Sequence, residues 1–335
     1  MKIGVLGAGT WGLALASLLA KNGSDVTVWS ALPEEIDLLT ETRTHKNLPG
    51  LTLDEGICYT KDLSVVCDGK ELLLFVVPSA FIRSTAAALC PYLQDGIVLA
   101  SAAKGVERQT LQTMTEIIED EIGHRRPALV YTVAALSGPT HAEEVALGMP
   151  TSIVSACADR EIAMRIAGAF SNSCMRVYTN TDVLGVEICG ALKNIIALAA
   201  GMMRGMGLGD NARAMLITRG ISEITRIGLA MGCHEKTFMG LAGIGDLIVT
   251  CTSPHSRNNR CGEMIGRGLS YEEASEKIGM VVEGYHALEA AMALSERYGV
   301  EMPITAAVYA IIKQNRPPRE AMYELMSRDI KNELE

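Results

Sequence analysis

The feature that most constrains this chain is a glycine-rich turn near its start. Gly7, Gly9 and Gly12 follow the apolar residues 3–6 with the spacing G-x-G-x-x-G. The first glycine permits a tight turn, the second lets the backbone approach a pyrophosphate, and the third lets the next helix pack close to the strand. The N-terminus of that helix offers free N–H groups to the same pyrophosphate. The stretch therefore predicts a dinucleotide-binding βα unit.

The residues around the turn support this interpretation. Leucine and alanine recur at helical spacing over residues 13–20, and a second apolar run at 25–29 follows Asn22-Gly23, as a βαβ unit requires. The competing interpretation is a secretory signal peptide. Its apolar region would contain glycines at positions 4, 7, 9 and 12, which disfavour a helix, so the dinucleotide-binding turn is the better prediction.

Strands and helices alternate over the first part of the chain. We predict strands at 3–6, 25–29, 72–77, 97–103, 128–136, 151–157 and 176–178, with helices at 13–20, 33–41, 79–89, 109–122 and 160–170. This alternation predicts a Rossmann-like, doubly wound parallel α/β domain over residues 1–182. Strand-like runs then largely stop. Residues 183–335 predict an all-α domain, with helices at 183–203, 213–230, 271–277, 284–298, 304–314 and 320–326.

Composition excludes several classes of function. A net charge of −9 and an aromatic content of 4% argue against a nucleic-acid partner. Nine cysteines without a C-x-x-C pair indicate a reducing compartment, and we expect a cytoplasmic protein. No apolar run approaches the ~20 residues that span a bilayer, so no membrane insertion is expected. The six histidines lack ligand spacing, and no metal site is predicted.

The residues that follow the predicted strands indicate where a ligand binds. In open α/β sheets, ligands lie beyond the carboxyl ends of the strands. Pro78, Lys104 and Ser137-Gly138-Pro139 stand at such positions. We expect them to line one crevice together with the glycine turn.

Lys193 is the first candidate for chemistry. It lies inside a long apolar helix, where a lysine is costly unless it is paired or faces a cavity. Burial and a nearby cation such as Lys104 would lower its pKa towards the working range of a general base. The alternative is a lysine that reaches water from a helix end. Asn194, on the same face as Glu187, is predicted either to orient a ligand or to cap backbone groups inside the protein.

Two polar segments of the second half are further candidates. Residues 240–246 form a glycine-rich turn that ends in Asp246, which is predicted either to accept hydrogen bonds from a hydroxyl or from Lys193, or to cap a helix. Residues 253–260 predict a polar loop. There Arg257 offers a planar fork for a phosphate, and Ser256 and Asn258 add neutral donors; a solvated surface loop is the alternative.

Taken together, these stretches resemble the bacterial type of NAD(P)-dependent glycerol-3-phosphate dehydrogenase over essentially the whole chain. The matching motifs are residues 7–12, 48–50, 104–105, 137–139, 142–145, 191–194, 245–250, 257–258 and 282–284. The resemblance implies interconversion of sn-glycerol 3-phosphate and dihydroxyacetone phosphate, with a role in phospholipid synthesis. It also implies a homodimer.

The resemblance further implies a role for individual residues. Lys193 would accept the proton of the secondary hydroxyl, and Lys104 would contact both substrate and cofactor. The implied substrate site also contains Gly138, Thr140, Asp246, Ser256, Arg257 and Asn258, and Asn194 is added to it as the candidate from the apolar helix. The implied cofactor contacts include Thr10, Trp11, Ala142, Arg257, Val281 and Glu283.

The end of the second strand departs from the NAD-binding pattern. An acid usually stands there to bind the ribose hydroxyls, but this chain has Trp29-Ser30-Ala31, and the family's usual arginine is also missing. Ser30 is able to bond either a hydroxyl or a 2′-phosphate, so the sequence alone modestly favours NADPH while leaving NADH open. Two other functions stay open at this point: a 3-hydroxyacid or ketopantoate-type reductase, and a non-catalytic dinucleotide sensor.

Overall fold

The computed structural model describes residues 1–330 and 332–333. The chain forms two compact units. The first comprises Met1–Gly190 and Lys236–Asp246, and the second comprises Ala191–Glu235 and Leu247–Glu335. These compact units do not follow a single boundary along the chain, since the first change of unit falls after Gly190 and a short later segment, Lys236–Asp246, belongs to the first unit. The domain boundary near residue 182 stays a prediction.

The first unit is built on one eight-stranded sheet with the order β3-β2-β1-β4-β5-β6-β7-β8. The strands are β1 Lys2–Leu6, β2 Asp25–Trp29, β3 Cys58–Thr60, β4 Leu72–Phe75, β5 Ile97–Ser101, β6 Tyr131–Ser137, β7 Thr151–Ala156 and β8 Met175–Asn180. Every neighbouring pair is parallel except β6 and β7, which are antiparallel. The predicted doubly wound fold is confirmed, with one antiparallel pairing that the alternation did not indicate.

Seven α-helices accompany these strands in the described residues, together with two short 3-10 helices at Ser79–Phe81 and Cys90–Tyr92. The α-helices are α1 Thr10–Lys21, α2 Pro33–Thr42, α3 Leu63–Cys67, α4 Ile82–Leu89, α5 Met114–Arg125, α6 Ala142–Ala146 and α7 Arg160–Phe170. One buried core lies between the sheet and α1 and α7, and a second core includes residues of α3, α4 and α5. Apolar side chains thus cover both faces of the sheet, which explains why β4 is buried at every position.

The predicted helix at 109–122 begins later than expected. Leu111 has a φ of 62°, outside the helical region, and Thr113 forms a capping box with Glu116 that starts α5 at Met114. By contrast, the predicted helix at 160–170 is confirmed at both ends, because Asp159 accepts hydrogen bonds from the first-turn N–H groups of Glu161 and Ile162. The short elements β3, α3 and α6 were not predicted.

The remaining helices complete the chain. They are α8 Val183–Gly205, α9 Asp210–Ala230, α10 Glu235–Phe238, α11 Asp246–Thr252, α12 Arg257–Gly266, α13 Tyr271–Ile278, α14 Glu283–Tyr298, α15 Pro303–Lys313 and α16 Pro318–Met326. The all-α character of the later part is confirmed. The prediction missed α10, α11 and α12.

Glycines let α8 and α12 approach closely within the second unit. A Cβ added to Gly201 would lie 2.0 Å from the carbonyl oxygen of Asn259, and one added to Gly262 would lie 2.1 Å from that of Leu198. Such distances are far below van der Waals contact, so neither position tolerates a side chain without a shift of backbone. The two backbones therefore pack directly on each other.

The length of α8 corrects one expectation from composition. This helix has 23 residues and a mean hydropathy of 1.7, so it is long and apolar enough to cross a membrane. However, 89% of its apolar window is buried inside the protein. A core helix satisfies the same criterion, so α8 is weak support for a membrane span.

Candidate active site

The glycine turn has the shape that a dinucleotide requires. Gly7 has a φ of 123°, and a Cβ at Gly12 would lie 2.1 Å from the carbonyl oxygen of Gly7. Gly9 instead faces open space, since no described residue other than its two chain neighbours has an atom within 4 Å of a Cβ added there. Among the described residues, no side chain accepts a hydrogen bond from the N-terminal N–H groups of α1, and the first turn of α1 contains no acidic residue. The first-turn N–H groups of α1 therefore fit a bound pyrophosphate.

The end of β2 lies beside this turn, because the N–H of Gly7 donates to the carbonyl oxygen of Trp29 at 2.8 Å. Ser30 follows and is buried. Its hydroxyl donates to the Glu35 carboxylate at 2.6 Å and accepts from the N–H of Leu32 at 3.1 Å. The structure thus supplies an acid next to Ser30, although it comes from the first turn of α2 and not from the strand end. The strand end gives no signal for this acid, because its approach to Ser30 depends on where α2 begins.

Lys104 and Gly138 come together at the carboxyl ends of β5 and β6, as predicted from their positions. The Lys104 amine donates to the carbonyl oxygen of Gly138 at 3.2 Å and to Asp246 Oδ2 at 2.7 Å. Thr140 Oγ1 donates to the same Gly138 carbonyl at 3.1 Å. The Asp246 side chain is 1% exposed and that of Lys104 is 20% exposed. This is a largely buried ion pair, with its amine at the edge of the sheet where the strands β5 and β6 end.

The segment before Asp246 is a compact turn, in keeping with the glycine-rich turn that was predicted there. Leu241–Gly245 is a π-helical turn interrupted by a kink at Gly243, whose φ of −91° and ψ of −105° are not helical, and a Cβ added to Gly243 would lie 2.0 Å from the carbonyl oxygen of Phe238. Within the first unit, the hydroxyl of Thr237 donates to Asp182 Oδ2 at 2.6 Å and thereby holds this segment. Asp246 then opens α11 as the partner of Lys104.

In the second unit, Lys193 is buried, with 5% of its surface exposed. Its amine donates to Thr250 Oγ1 at 2.8 Å, and Thr250 is itself 6% exposed. The alternative of a lysine that reaches water from a helix end is therefore wrong. Thr250 was not among the predicted site residues. Its position inside one of the matched motifs was the only signal for it.

Asn194 belongs to a buried amide network of the second unit. The side-chain amide of Asn258 donates to Asn194 Oδ1 at 3.0 Å, and the N–H of Gly284 donates to Asn258 Oδ1 at 2.9 Å. These bonds join α8, α12 and α14. Both asparagines therefore have partners inside the protein, but the bond to Asn194 comes from a side chain and not from a backbone group, so neither interpretation of Asn194 is decided.

Residues 253–260 are not the polar loop that was predicted. Ser256 caps α12 by accepting the N–H of Asn259 at 3.2 Å, and Arg257 is the first helical residue. Arg257 Nη1 donates to the carbonyl oxygen of Val281 at 3.2 Å. Glu283 opens α14 two residues further on. Three predicted cofactor contacts, Arg257, Val281 and Glu283, thus belong to two adjacent helix starts. The first turn of α12 also offers N–H groups that suit an anion.

Trp11 and Ala142, two more predicted cofactor contacts, both pack against the core that includes α1. Thr10 is the first residue of α1, beside Gly9. Thr10 and Trp11 thus lie beside the glycine turn in α1, and Ala142 packs against the same core as this helix.

A glycine turn at a helix N-terminus, set at the edge of a Rossmann-like sheet, defines a dinucleotide-binding oxidoreductase fold. Models of the N-terminal and C-terminal parts of the NAD-dependent glycerol-3-phosphate dehydrogenase family match residues 2–163 and 182–323. The chain belongs to this family.

Individual relatives cover nearly all of the chain. A glycerol-3-phosphate dehydrogenase (NAD(P)+) 2 of Lactobacillus delbrueckii subsp. bulgaricus is 53% identical over 99% of both chains. A glycerol-3-phosphate dehydrogenase (NAD(P)+) of Fusobacterium nucleatum subsp. nucleatum is 46% identical over 100% of this chain and 99% of its own length. The crystal structure of a glycerol-3-phosphate dehydrogenase from Coxiella burnetii is 35% identical, with a TM-score of 0.92 over 98% of this chain and 99% of that one.

Proposed function

We propose that the protein reduces dihydroxyacetone phosphate to sn-glycerol 3-phosphate with NAD(P)H, reversibly, and supplies glycerol 3-phosphate for glycerophospholipid synthesis. The observation that carries the proposal is the buried Lys193 amine, bonded to the Thr250 hydroxyl at 2.8 Å. Burial of a lysine side chain is costly, and a proton-transfer role at a ligand site explains why this one is 5% exposed. The names of the relatives support the same substrate.

Lys193 is the proposed general acid and base. In the oxidative direction its amine accepts the hydroxyl proton of glycerol 3-phosphate, and in reduction it returns that proton to the ketone oxygen. The nicotinamide, when bound, supplies or accepts the hydride at C2. Thr250, as the hydrogen-bond acceptor of the amine, holds Nζ in one direction. Placement of a general base is worth ~10²–10⁴ in rate.

The remaining site residues have proposed binding roles. In the first unit, Lys104 contacts substrate and cofactor, with Gly138, Thr140 and Asp246 around it. In the second unit, the α12 start with Ser256, Arg257 and Asn258 contacts the substrate, and Asn194 belongs to the same group through Asn258. The helix N-terminus and the guanidinium of Arg257 both favour a phosphate there.

For the cofactor, the Glu35 carboxylate beside Ser30 supports a preference for NADH, opposite to the one that the strand end alone favoured. A ribose 2′-hydroxyl is able to donate to this carboxylate, whereas a 2′-phosphate would be repelled by its charge. Nearby His45 gives little compensation, because burial lowers its pKa more than Glu35 raises it. Glu35→Gln keeps the side-chain shape but removes the charge.

Fluorescence titration of the protein with NADH and with NADPH tests this preference. We expect Glu35→Gln to tighten NADPH binding by about tenfold, the equivalent of ~1.4 kcal/mol, with NADH binding little changed. Glu34→Gln, one residue earlier in the same turn, is the matched control. Equal changes for both cofactors, or the same effect in the control, would show that Glu35 does not select between them.

We further propose a cytoplasmic homodimer that acts on a small phosphorylated three-carbon substrate, with no nucleic-acid partner and no stable membrane insertion. The burial of the apolar window of α8 supports the last point.

Steady-state oxidation of NADH and NADPH, measured with dihydroxyacetone phosphate, tests the proposed reaction. Ketopantoate and 3-oxo acids are the comparison substrates. We expect kcat/KM for dihydroxyacetone phosphate to exceed the others. Faster turnover of an oxo acid would indicate the alternative reductase, and dinucleotide binding without any turnover would indicate a sensor.

A further inference from the structure

Glu187 is a buried carboxyl group to which the proposed reaction gives no role. It lies on α8 and is 5% exposed. The N–H of Thr115 donates to its Oε1 at 3.0 Å, and the hydroxyl of Thr115 donates to its Oε2. Thr115 is in the first turn of the twelve-residue helix α5. Because first-turn N–H groups lack partners within their helix, this carboxylate satisfies α5 and ties α8 to its start.

The segment that ends at this point carries Lys104. Residues 102–113 connect β5 to α5 and are braced internally, since the N–H of Glu107 donates to the carbonyl oxygen of Gln112 at 2.8 Å. From α4, Arg83 binds both carboxylate oxygens of Glu107, at 2.7 and 2.8 Å. Arg83 therefore holds the middle of the segment, and Glu187 holds its far end.

The same helix also contacts the Lys104 side chain. Gly190 lies three residues after Glu187 and thus on the same side of α8. A Cβ added to Gly190 would lie 3.3 Å from Lys104 Cγ and 3.0 Å from Ser137 Oγ. The backbone of α8 at Gly190 therefore limits the space for the aliphatic part of the Lys104 side chain, whose amine reaches Gly138 and Asp246. A movement of α8 relative to α5 would change the space that is left for the Lys104 side chain.

We propose that Glu187 is a positioning residue for Lys104: by fixing α8 on the start of α5, it sets the gap at Gly190 that directs the lysine amine to Gly138 and Asp246. The inference depends on the proposed function only for what Lys104 binds. The geometric part concerns the first unit alone and is testable without substrate.

The second unit offers a matched control in Glu223. This carboxylate is 1% exposed and accepts the N–H groups of Ile304 and Thr305, at 2.8 and 2.9 Å, together with the Thr305 hydroxyl at 2.7 Å. It therefore makes the same kind of contact with the start of another helix, α15. Loss of Glu223 should cost comparable stability, but Glu223 belongs to the second unit, whereas the Lys104 segment belongs to the first.

Amine labelling tests the proposal on the protein without ligands. Folded protein is acetylated with a limiting reagent, and peptide mass spectrometry gives the labelling rate of Lys104 relative to the surface residue Lys61. We expect Glu187→Leu and the milder Thr115→Val to raise this ratio several-fold. Glu187→Gln, which keeps an acceptor for the Thr115 N–H, should stay near the original ratio, and so should Glu223→Leu.

A kinetic readout follows with dihydroxyacetone phosphate. For Glu187→Leu we expect kcat/KM to fall by about tenfold or more, because small misplacements of binding groups are costly, with recovery in Glu187→Gln. An unchanged labelling ratio in folded Thr115→Val and Glu187→Leu would overturn the proposal, and so would an equal rise in Glu223→Leu. If Glu187→Leu does not fold, Thr115→Val decides. Absence of any turnover in the original protein would refute the proposed function but leave the labelling result to judge this inference.

Discussion

Removing the charge of Asp246 tests how much the buried ion pair with Lys104 contributes. At the observed separation of 2.7 Å, the attraction of two unit charges is about 6 kcal/mol at an effective dielectric constant of about 20. Desolvation offsets much of this, and loss of one partner of a fully buried pair costs about 3–5 kcal/mol. Asp246→Asn keeps an acceptor oxygen, and the Lys104 side chain is 20% exposed. We therefore expect the free energy of unfolding to fall by about 2–3 kcal/mol.

Denaturant unfolding of Asp246→Asn and of a surface control measures this difference. Asp37 pairs with Lys61 at 2.6 Å, but these side chains are 67% and 47% exposed. Asp37→Asn should therefore cost less than about 1 kcal/mol, since exposed pairs contribute little. If both variants lost the same free energy of unfolding, the conclusion that burial, and not distance, determines the contribution of the Lys104–Asp246 pair would be refuted.

Two further predictions concern packing and pH. Gly262→Ala should destabilise the protein by about 3 kcal/mol or more, because its Cβ would lie 2.1 Å from the Leu198 carbonyl oxygen; Gly123→Ala, with open space around it, should stabilise by about 0.5–1 kcal/mol. Thermal or denaturant unfolding of both variants checks this, and similar values would contradict it. Burial raises the pKa of Glu187 from 4.5 to about 7, so the folded protein binds a proton in this interval that the unfolded chain has released. This group therefore contributes a fall of about 3 kcal/mol in unfolding free energy as the pH rises from about 4.5 to about 7. Glu187→Gln should lack that fall when unfolding is measured at several pH values, and a parallel pH profile would contradict the assignment.

The elements that sequence predicted best are those whose signals are local. The helix at 160–170 has its own cap in Asp159, and β4 is a continuous apolar run that only a strand buried on both faces explains. The helix α12 was missed because it lacks such a local signal. The buried side of α12 includes small or polar residues such as Asn259 and Gly262, so no strong apolar periodicity marks the helix.

The site was predictable in its parts but not in its pairings. Lys193 is recognisable because it lies inside an apolar helix, and Lys104 because it follows directly on a predicted strand. The pairing of Lys104 with Asp246 was not predicted, because the two residues lie 142 positions apart, and the same holds for Glu187 and Thr115, which lie 72 positions apart. Even Glu35, only five positions from Ser30, depends on where α2 begins. Polar pairing over such separations is decided by the packing of whole elements, which no short motif records.

The central claim is that Lys193 transfers the proton, and turnover of Lys193→Met tests it most directly. Methionine keeps an unbranched chain in the buried position but has no amine. With dihydroxyacetone phosphate and NADH, kcat should fall by ~10²–10⁴, while fluorescence titration shows NADH binding unchanged. Turnover close to that of the original protein would contradict the account.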